Sequence, residues 1–459
     1  MDKLCSLKDL IPGSVIRLPE GYRDRDDETA VVLGLEYASD KKRISTSLLR
    51  RSPTQDFVAT SLPTMVDDSK LELVADLALQ RAVSNAFNAR KLSLPDVSMS
   101  MGCDPEVFCE HADGAIFPAW EYMPDEAIAR KNVKEWAASK GFEEMIAKPE
   151  SNVLVAEVPA YWDGAQAEFA PWAKGCLETL HCGTRAGLLS VLTKARAVDP
   201  KAKLTLRNVV ELPEDVLKNA DDKHIQFRCS ESYNIYNDPG TRIQDARGYK
   251  YRCAGGHIHV GFSRAFTAPG IEQIVRGLDA VLGVIGVSLA TGIDNPERRH
   301  TYGRAGEFRL PQHGLEYRVL SNFWLSHPAI AMLVFELARA TVRLAESGLF
   351  NLCWQAEDRE TREVINNCDV DEARKILLRN KDVINGMLHG IWTAKAGVRD
   401  EADLTKMRKL AKRAIIRGIG AVIADPFDIE GNWDLSGTTW KHHCQGQNHS
   451  WLSLARKQA

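Results

Sequence analysis

The stretch CAGGHIHVGF, residues 253–262, sets two histidines one residue apart, behind two glycines and ahead of another. Side chains of a β-strand alternate between its faces, so residues i and i+2 look the same way. His257, His259 and Gly261 then share one face, and Ile258, Val260 and Phe262 share the other. The apolar face can pack on helices. The opposite face presents two imidazoles, and Gly255 and Gly256 leave room beside them for backbone or a ligand.

Four more segments repeat the pattern. Asp104 and Glu106 share a face in GCDPEVF, Gln166 and Glu168 in DGAQAEF, Glu307 and Arg309 in GEFRLP, and Glu316 and Arg318 in GLEYRVL. Any one pair could simply face water, where charged residues are mostly found. Around them, however, Cys103, Val107, Phe108, Phe169, Phe308, Leu315 and Tyr317 mark interior strands, and a glycine or proline sits beside every pair.

If the pairs converge, Asp104, Glu106, Glu168 and Glu316 crowd together. Two carboxylates about 4 Å apart repel by roughly 4 kcal/mol at an effective dielectric near 20. Such a cluster calls for a compensating cation, and hard oxygen ligands select Mg²⁺, Mn²⁺ or Ca²⁺. One imidazole among them fits Mg²⁺ or Mn²⁺ tolerably and Zn²⁺ well. Arg298, Arg299, Arg304, Arg309 and Arg318 follow within one short region. Guanidinium forks bind phosphate and carboxylate with two prongs. Metal sites beside arginines suggest a nucleoside triphosphate more than a hydrolytic zinc centre. A metal hydrolase leaves the arginines and surplus carboxylates without a role. The plainer reading of any one arginine is a surface ion pair with Glu297 or Glu307.

The remainder of the sequence frames this region. A length of 459 residues allows two or three domains, and 44% hydrophobic with 26% charged residues fits a soluble globular chain. A net charge of -3 gives no global basic field for nucleic acid or anionic membrane. The opening MDKLCSLKDL lacks a long apolar run, so no secretory signal is expected. Ile271–Ile293 is the most membrane-like stretch, but Glu272, Arg276 and Asp279 make it a buried or amphipathic helix. Ten cysteines without a CxxC pair point to free thiols in a reducing cytoplasm.

Residues 1 to about 66 read as short β-branched runs, followed by a helix over 69–91 and a linker over 92–98. A domain boundary is placed near residue 95. Strands and helices alternate from 99 to about 325, with helices over 131–138, 173–197 and 271–291 and a strand over 203–212. From Pro328 onward the chain reads as helical, over 328–347, 371–388 and 401–423. ESYNIYND, residues 231–238, is an ordinary turn, with a substrate loop through Asn234 and Tyr236 as the alternative. WKHHCQGQNHSW, residues 440–451, matches no standard zinc spacing and reads as a polar tail. RDRDDE, residues 23–28, reads as a solvated turn.

From about 99 to 325 the chain resembles the phage-type carboxylate–amine ligases, a branch of the glutamine synthetase and glutamate–cysteine ligase superfamily. SMGCDPEVF resembles the first metal strand of that family and DGAQAEFAP its Gly-x-Gln-x-Glu segment. CAGGHIHVGF resembles the glycine-flanked histidine strand. GRAGEFRLPQHGLEYRVLSNFW resembles an Arg-x4-Arg-x-Pro run followed by Glu-x-Arg. Asp104 stands where glutamine synthetases usually show glutamate, and residues 1 to about 95 match no part of the family.

The resemblance implies an α+β fold: a curved antiparallel sheet of glutamine-synthetase-like type backed by helices, with a small β-rich domain over 1–95 ahead of a ligase domain over 96–459. It implies ATP- and Mg²⁺- (or Mn²⁺-) dependent amide formation between a small-molecule or peptide carboxylate and an amine, through an acyl phosphate. Carried over residue by residue, Glu106, Glu168 and Glu316 are metal carboxylates, with Asp104 beside Glu106. His257 or His259 is the imidazole ligand, and the other holds substrate or nucleotide. Arg304 and Arg309 hold ATP phosphates, Arg318 bridges phosphate and the reacting carboxylate, and Gln166 stands behind the ligands. Two further readings keep the fold: an ATP-dependent phosphotransferase, or a non-enzymatic protein associated with a phage particle. Either would work in the cytoplasm, the host's if phage-encoded, without nucleic-acid or membrane partners and with a homo-oligomer open.

Overall fold

The computed structural model describes residues 99–142, 157–227, 232–238, 245–262, 268–312, 314–346, 350–393 and 401–436, with Trp451 and Leu454, and before these the strands of an N-terminal sheet. That sheet is antiparallel. It contains β1 (Lys3–Cys5), β2 (Val15–Arg17), β3 (Thr29–Tyr37), β4 (Arg43–Arg51), β5 (Phe57–Met65) and β6 (Leu71–Leu73), in the order β1-β6-β2-β3-β4-β5. Residues 71–73 are thus a strand, paired with β1 and β2, where the sequence suggested the start of a helix. The rest of that helix, the linker over 92–98 and RDRDDE lie outside the described residues.

A second sheet carries the segments singled out above. Its strands are β7 (Met99–Glu110), β8 (Ile116–Phe117), β9 (Ala160–Asp163), β10 (Gln166–Phe169), β11 (Lys203–Thr205), β13 (Tyr233–Asn234), β15 (Gly256–Phe262), β16 (Glu307–Arg309) and β17 (Gly314–Tyr317). The order is β13-β16-β17-β15-β7-β10-β9, with β8 and β11 pairing the far end of β7, and every described pair is antiparallel. β12 (Val209–Glu211) and β14 (Tyr251–Cys253) form a separate pair. The single strand expected over 203–212 is therefore two. Between them Asn208 is buried, and its side chain binds the Asp294 carboxylate at 3.1 Å and the Asn295 N–H at 3.0 Å. A side chain spent locally in this way competes with a continuous ladder.

β7 is the central strand. It pairs β15 over residues 99–105 and β10 over 106–107. Pro105 has no N–H to give a ladder, and it stands at the last register position with β15, where the pairing changes. One face of the sheet is apolar across its width: Cys103 stands opposite Ile258, Ile258 opposite Tyr317, Tyr317 opposite Phe308, and Val107 opposite Ala167. Helix Leu177–Val198 packs on β7 and β10, and helix Ala268–Leu278 packs on β17 and on helix Pro328–Glu346. Burying these apolar side chains is the main favourable term of the fold, at about 25 cal/mol per Å² removed from water.

The helical region follows the sequence pattern with explicable breaks. Helix Ala268–Leu278 runs through a π-turn, Asp279–Gly283, into Val284–Leu289. None of the helices among the described residues is long and apolar enough to cross a membrane. The 371–388 stretch splits into Val370–Arg379 and Lys381–Thr393 at Asn380, whose buried amide binds the Gln355 and Ile376 carbonyls. Helix Glu401–Arg417 ends before the expected 423, where Gly418 takes φ 88° and ψ 166°, a positive-φ conformation open to glycine that carries the chain out of the helix. Cys103, Cys109, Cys176, Cys182, Cys253, Cys353 and Cys368 are free thiols. Residues 440–450 lie outside the described residues.

Gly256 marks where β15 meets the segment after β17. A Cβ there would stand 2.4 Å from the Ser321 carbonyl oxygen and 2.4 Å from Trp324 Nε1, which itself donates to the Gly256 carbonyl at 3.1 Å. The backbone must yield to any side chain. Gly256→Ala is expected to lower unfolding stability by about 1–3 kcal/mol in urea titration. An unchanged midpoint would show that this contact is not tight.

Candidate active site

Residues directly opposite each other in an antiparallel pair point to the same side. Glu168 stands opposite Glu106, Asp104 opposite His257, His259 opposite Glu316, and Glu316 opposite Arg309. The polar pairs of five strands therefore face one side of one sheet. Across the β9–β10 hairpin, Asp163 stands opposite Gln166 and Tyr161 opposite Glu168, which adds two side chains to that face.

Two groups of ligand atoms result. Asp104, His259 and Glu316 offer atoms within 4.8 Å of one another, and Glu106, Asp163 and Glu168 form a second such group. In the first, His259 Nε2 lies 3.0 Å from Asp104 Oδ1. His257 Nδ1 lies 3.2 Å from the same oxygen and 3.5 Å from Glu316 Oε1. His259 thus supplies the imidazole that completes the group, while His257 stands beside it against the same two carboxylates. Asp104 Oδ1 and His257 Nε2 are buried, and among the described residues neither has an aligned hydrogen bond. Buried polar atoms without aligned partners are costly, and a cation seated among Asp104, His259 and Glu316 would satisfy the carboxylate oxygens there. Carboxylate oxygens with one imidazole suit Mg²⁺ or Mn²⁺.

The two groups differ in how their charge is balanced. Burial pushes Asp104 up, but His259 and then His257 outweigh it and hold the carboxyl well below its usual range. Burial and Asp104 also push Glu316 up, yet His257, the Arg309 fork and His259 leave it lowered. Arg309 grips Glu316 through Nε at 2.8 Å and Nη2 at 2.7 Å, and Arg318 Nη1 adds a third contact at 3.0 Å. In the second group burial dominates. It raises Glu106 to about 7, with Asp163 adding to the shift, and raises Glu168 well above its ordinary value, with Asp104, Asp163 and Glu106 all contributing. The donors there are neutral. Gly255 N–H and the Tyr302 hydroxyl reach Glu106 Oε2, the latter at 2.8 Å, and the Tyr161 hydroxyl donates to Glu168 at 2.5 Å.

The arginines divide. Arg309 and Arg318 lie on the polar face with Glu316. Arg298 is buried and donates to the carbonyls of Ala254, Arg318, Val319 and Leu320, and Arg299 donates to Val319. These two are structural braces, neither surface ion pairs nor free forks. Arg304 binds the Asp238 carboxylate at 2.9 Å, so its guanidinium is engaged by the ESYNIYND loop. Asn234, at the end of β13, accepts from the Tyr236 and Asp238 N–H groups and donates to Ala305, which accounts for the turn after that strand. Asn322 donates to the Glu106 carbonyl at 3.1 Å and so braces the central strand from behind.

Sequence reading missed Asp163, Tyr161 and Tyr302. For Asp163 and Tyr161 a signal existed: Asp163-Gly164 opens a two-residue turn, which puts 163 opposite 166 and 161 opposite 168. Tyr302 sits in an irregular segment after helix Arg298–Thr301, where no periodicity assigns a face.

With the geometry in place, comparison with known proteins adds a class. Residues 242–386 match the model of the family described as Phage phiEco32-like COOH.NH2 ligase-type 2. That is less than half of the chain, and it contains His257, His259, Arg304, Arg309, Glu316 and Arg318. Asp104, Glu106, Asp163 and Glu168 come from outside it. The chain is thus similar over this segment to a carboxylate–amine ligase family. No curated protein matches it. Among solved structures, "Apo GmaS without ligand" aligns at 12% identity over 76% of this chain and 79% of that one, with a TM-score of 0.32. "GmaS/ADP complex-Conformation 1" aligns at 11% identity over 81% of each chain, with a TM-score of 0.33.

The surplus of buried acid has a thermodynamic consequence. Glu106 is raised from 4.5 to about 7, so between those values the folded protein keeps a proton that the unfolded chain has lost. Stability therefore falls as pH rises through that window. His257, held low, and His259, held high, oppose each other there. In chelator the Tm is expected to drop between pH 5.5 and 8, and Mn²⁺ or Mg²⁺ should restore it, more at pH 8 than at pH 5.5. A Tm at pH 8 that ignores both cations would contradict the assignment of these groups.

Proposed function

We propose that the protein is an ATP- and Mg²⁺-dependent carboxylate–amine ligase that forms an amide through an acyl phosphate. The observation that carries this reading is the pair of carboxylate-rich groups on one sheet face, with Arg309 and Arg318 beside them. The family match over the histidine and arginine strands supports it independently.

A carboxylate is a poor electrophile because its leaving group would be oxide. In the reaction proposed, an oxygen of the acid attacks the γ-phosphorus of ATP and ADP leaves. The amine nitrogen then attacks the acyl carbon, phosphate leaves, and the nitrogen gives up a proton. Asp104, His259 and Glu316 would hold one cation, with His257 at their side, and Glu106, Asp163 and Glu168 a second. Cations bound there would neutralise charge on the triphosphate and on the phosphoryl group in transfer. Arg309 and Arg318 would orient phosphate and the reacting carboxylate with fixed donors, which are worth most in a buried site. Arg304 would join them only by leaving Asp238. Gln166, whose Oε1 is buried, stands behind Glu168 on the same strand face.

The substrates on this reading are a small-molecule or peptide acid and an amine, met in the cytoplasm, with the 1–95 domain as an addition to the ligase unit over 96–459. ADP release that requires both an acid and an amine, with ATP and Mg²⁺ present, tests it. Glu316→Ala and Arg318→Ala should each lower that rate by at least about 10²-fold. Near-wild-type rates in both would remove the assigned roles. ADP release without amide would favour a phosphotransferase on the same fold, and failure to bind ATP with Mg²⁺ or Mn²⁺ would favour a non-enzymatic protein.

A further inference from the structure

Tyr302 belongs to none of the strand pairs, yet it touches Glu106 of one ligand group and His257 and Arg318, which stand beside the other. Its hydroxyl donates to Glu106 Oε2 at 2.8 Å and lies 3.4 Å from the Cys253 carbonyl. The same carboxylate oxygen takes the Gly255 N–H. With two donors on Oε2, a cation held with Asp163 and Glu168 would take the other oxygen. The ring has contacts of its own. The Arg298 guanidinium lies 4.4 Å from its centroid and that of Arg318 5.9 Å, while the His257 ring meets it edge-on at 5.9 Å. Arg318 and His257 both reach Glu316.

We propose that Tyr302 is a positioning residue that joins the two cation groups, its hydroxyl aiming Glu106 and its ring walling in Arg318 and His257. The proposal rests on the cation-binding reading above and adds to it a role for a residue outside the ligands. Outer partners that orient a ligating carboxylate change metal affinity by about 10–100-fold when removed. A phenol that only filled space would be replaced by phenylalanine without such a change, because the ring and its cation contacts remain.

The full-length protein is titrated with Mn²⁺, free metal being followed by electron paramagnetic resonance, and its Tm is measured separately in chelator. Tyr302→Phe is expected to bind Mn²⁺ about tenfold more weakly, while its Tm in chelator stays within about 2 °C of wild type. Tyr302→Leu, which also removes the ring, should lose both affinity and Tm. Tyr302→Phe affinity within about twofold of wild type overturns this proposal alone. A Tyr302→Phe protein that loses its far-ultraviolet circular dichroism assigns the hydroxyl to folding and overturns it too. Wild-type protein that takes up no Mn²⁺ overturns the cation reading itself, and this proposal with it.

Discussion

Glu106 and Glu168 stand opposite each other on neighbouring strands with Asp163 beside them, Glu106 buried and the other two half-buried, so that water screens them poorly. Like charges in low dielectric repel strongly, and desolvation adds to the cost of ionising each. The sheet holds them together anyway, because each strand buries its other face against helices. The register that seats Cys103 against Ile258 and Val107 against Ala167 also forces the acids to meet. A one-residue slip would send every acid to the opposite side, so the apolar face specifies the polar one.

The surroundings of the acids are graded. Asp104 and Glu316 have imidazoles and guanidinium groups at hydrogen-bonding or ion-pair distance and can ionise without help. Glu106 and Glu168 receive hydroxyl and amide donors instead, and their carboxyls are held up. In the reading developed above, the first group is prepared for a cation as it stands, whereas the second exchanges protons for one. Behind this face Arg298 gathers four carbonyls and Trp324 and Asn322 grip the strands, so the scaffold spends its own polar groups keeping the site in place.

Much of this face was legible in the sequence because strand alternation has a short period. His257 and His259, Asp104 and Glu106, and Glu316 and Arg318 each declare a common side from two residues. Asp163 and Tyr161 needed the further step of folding Asp163-Gly164 into a hairpin. Tyr302 was not legible, since an irregular segment carries no period and its partners lie 196 positions away at Glu106 and 49 away at Cys253. The arginines misled in part. Nothing local distinguishes Arg298, which binds distant carbonyls, from Arg309, which grips a carboxylate. Leu71–Leu73 escaped for the same reason, being a strand only through its pairing with β1 and β2.

The proposed reaction requires cations where the acids converge. Crystals grown with Mn²⁺ and a non-hydrolysable ATP analogue, with data collected near the manganese absorption edge, would locate them directly. The expected result is anomalous density among Asp104, His259 and Glu316 and again among Glu106, Asp163 and Glu168. Density confined to other parts of the surface, with both groups empty, would contradict it.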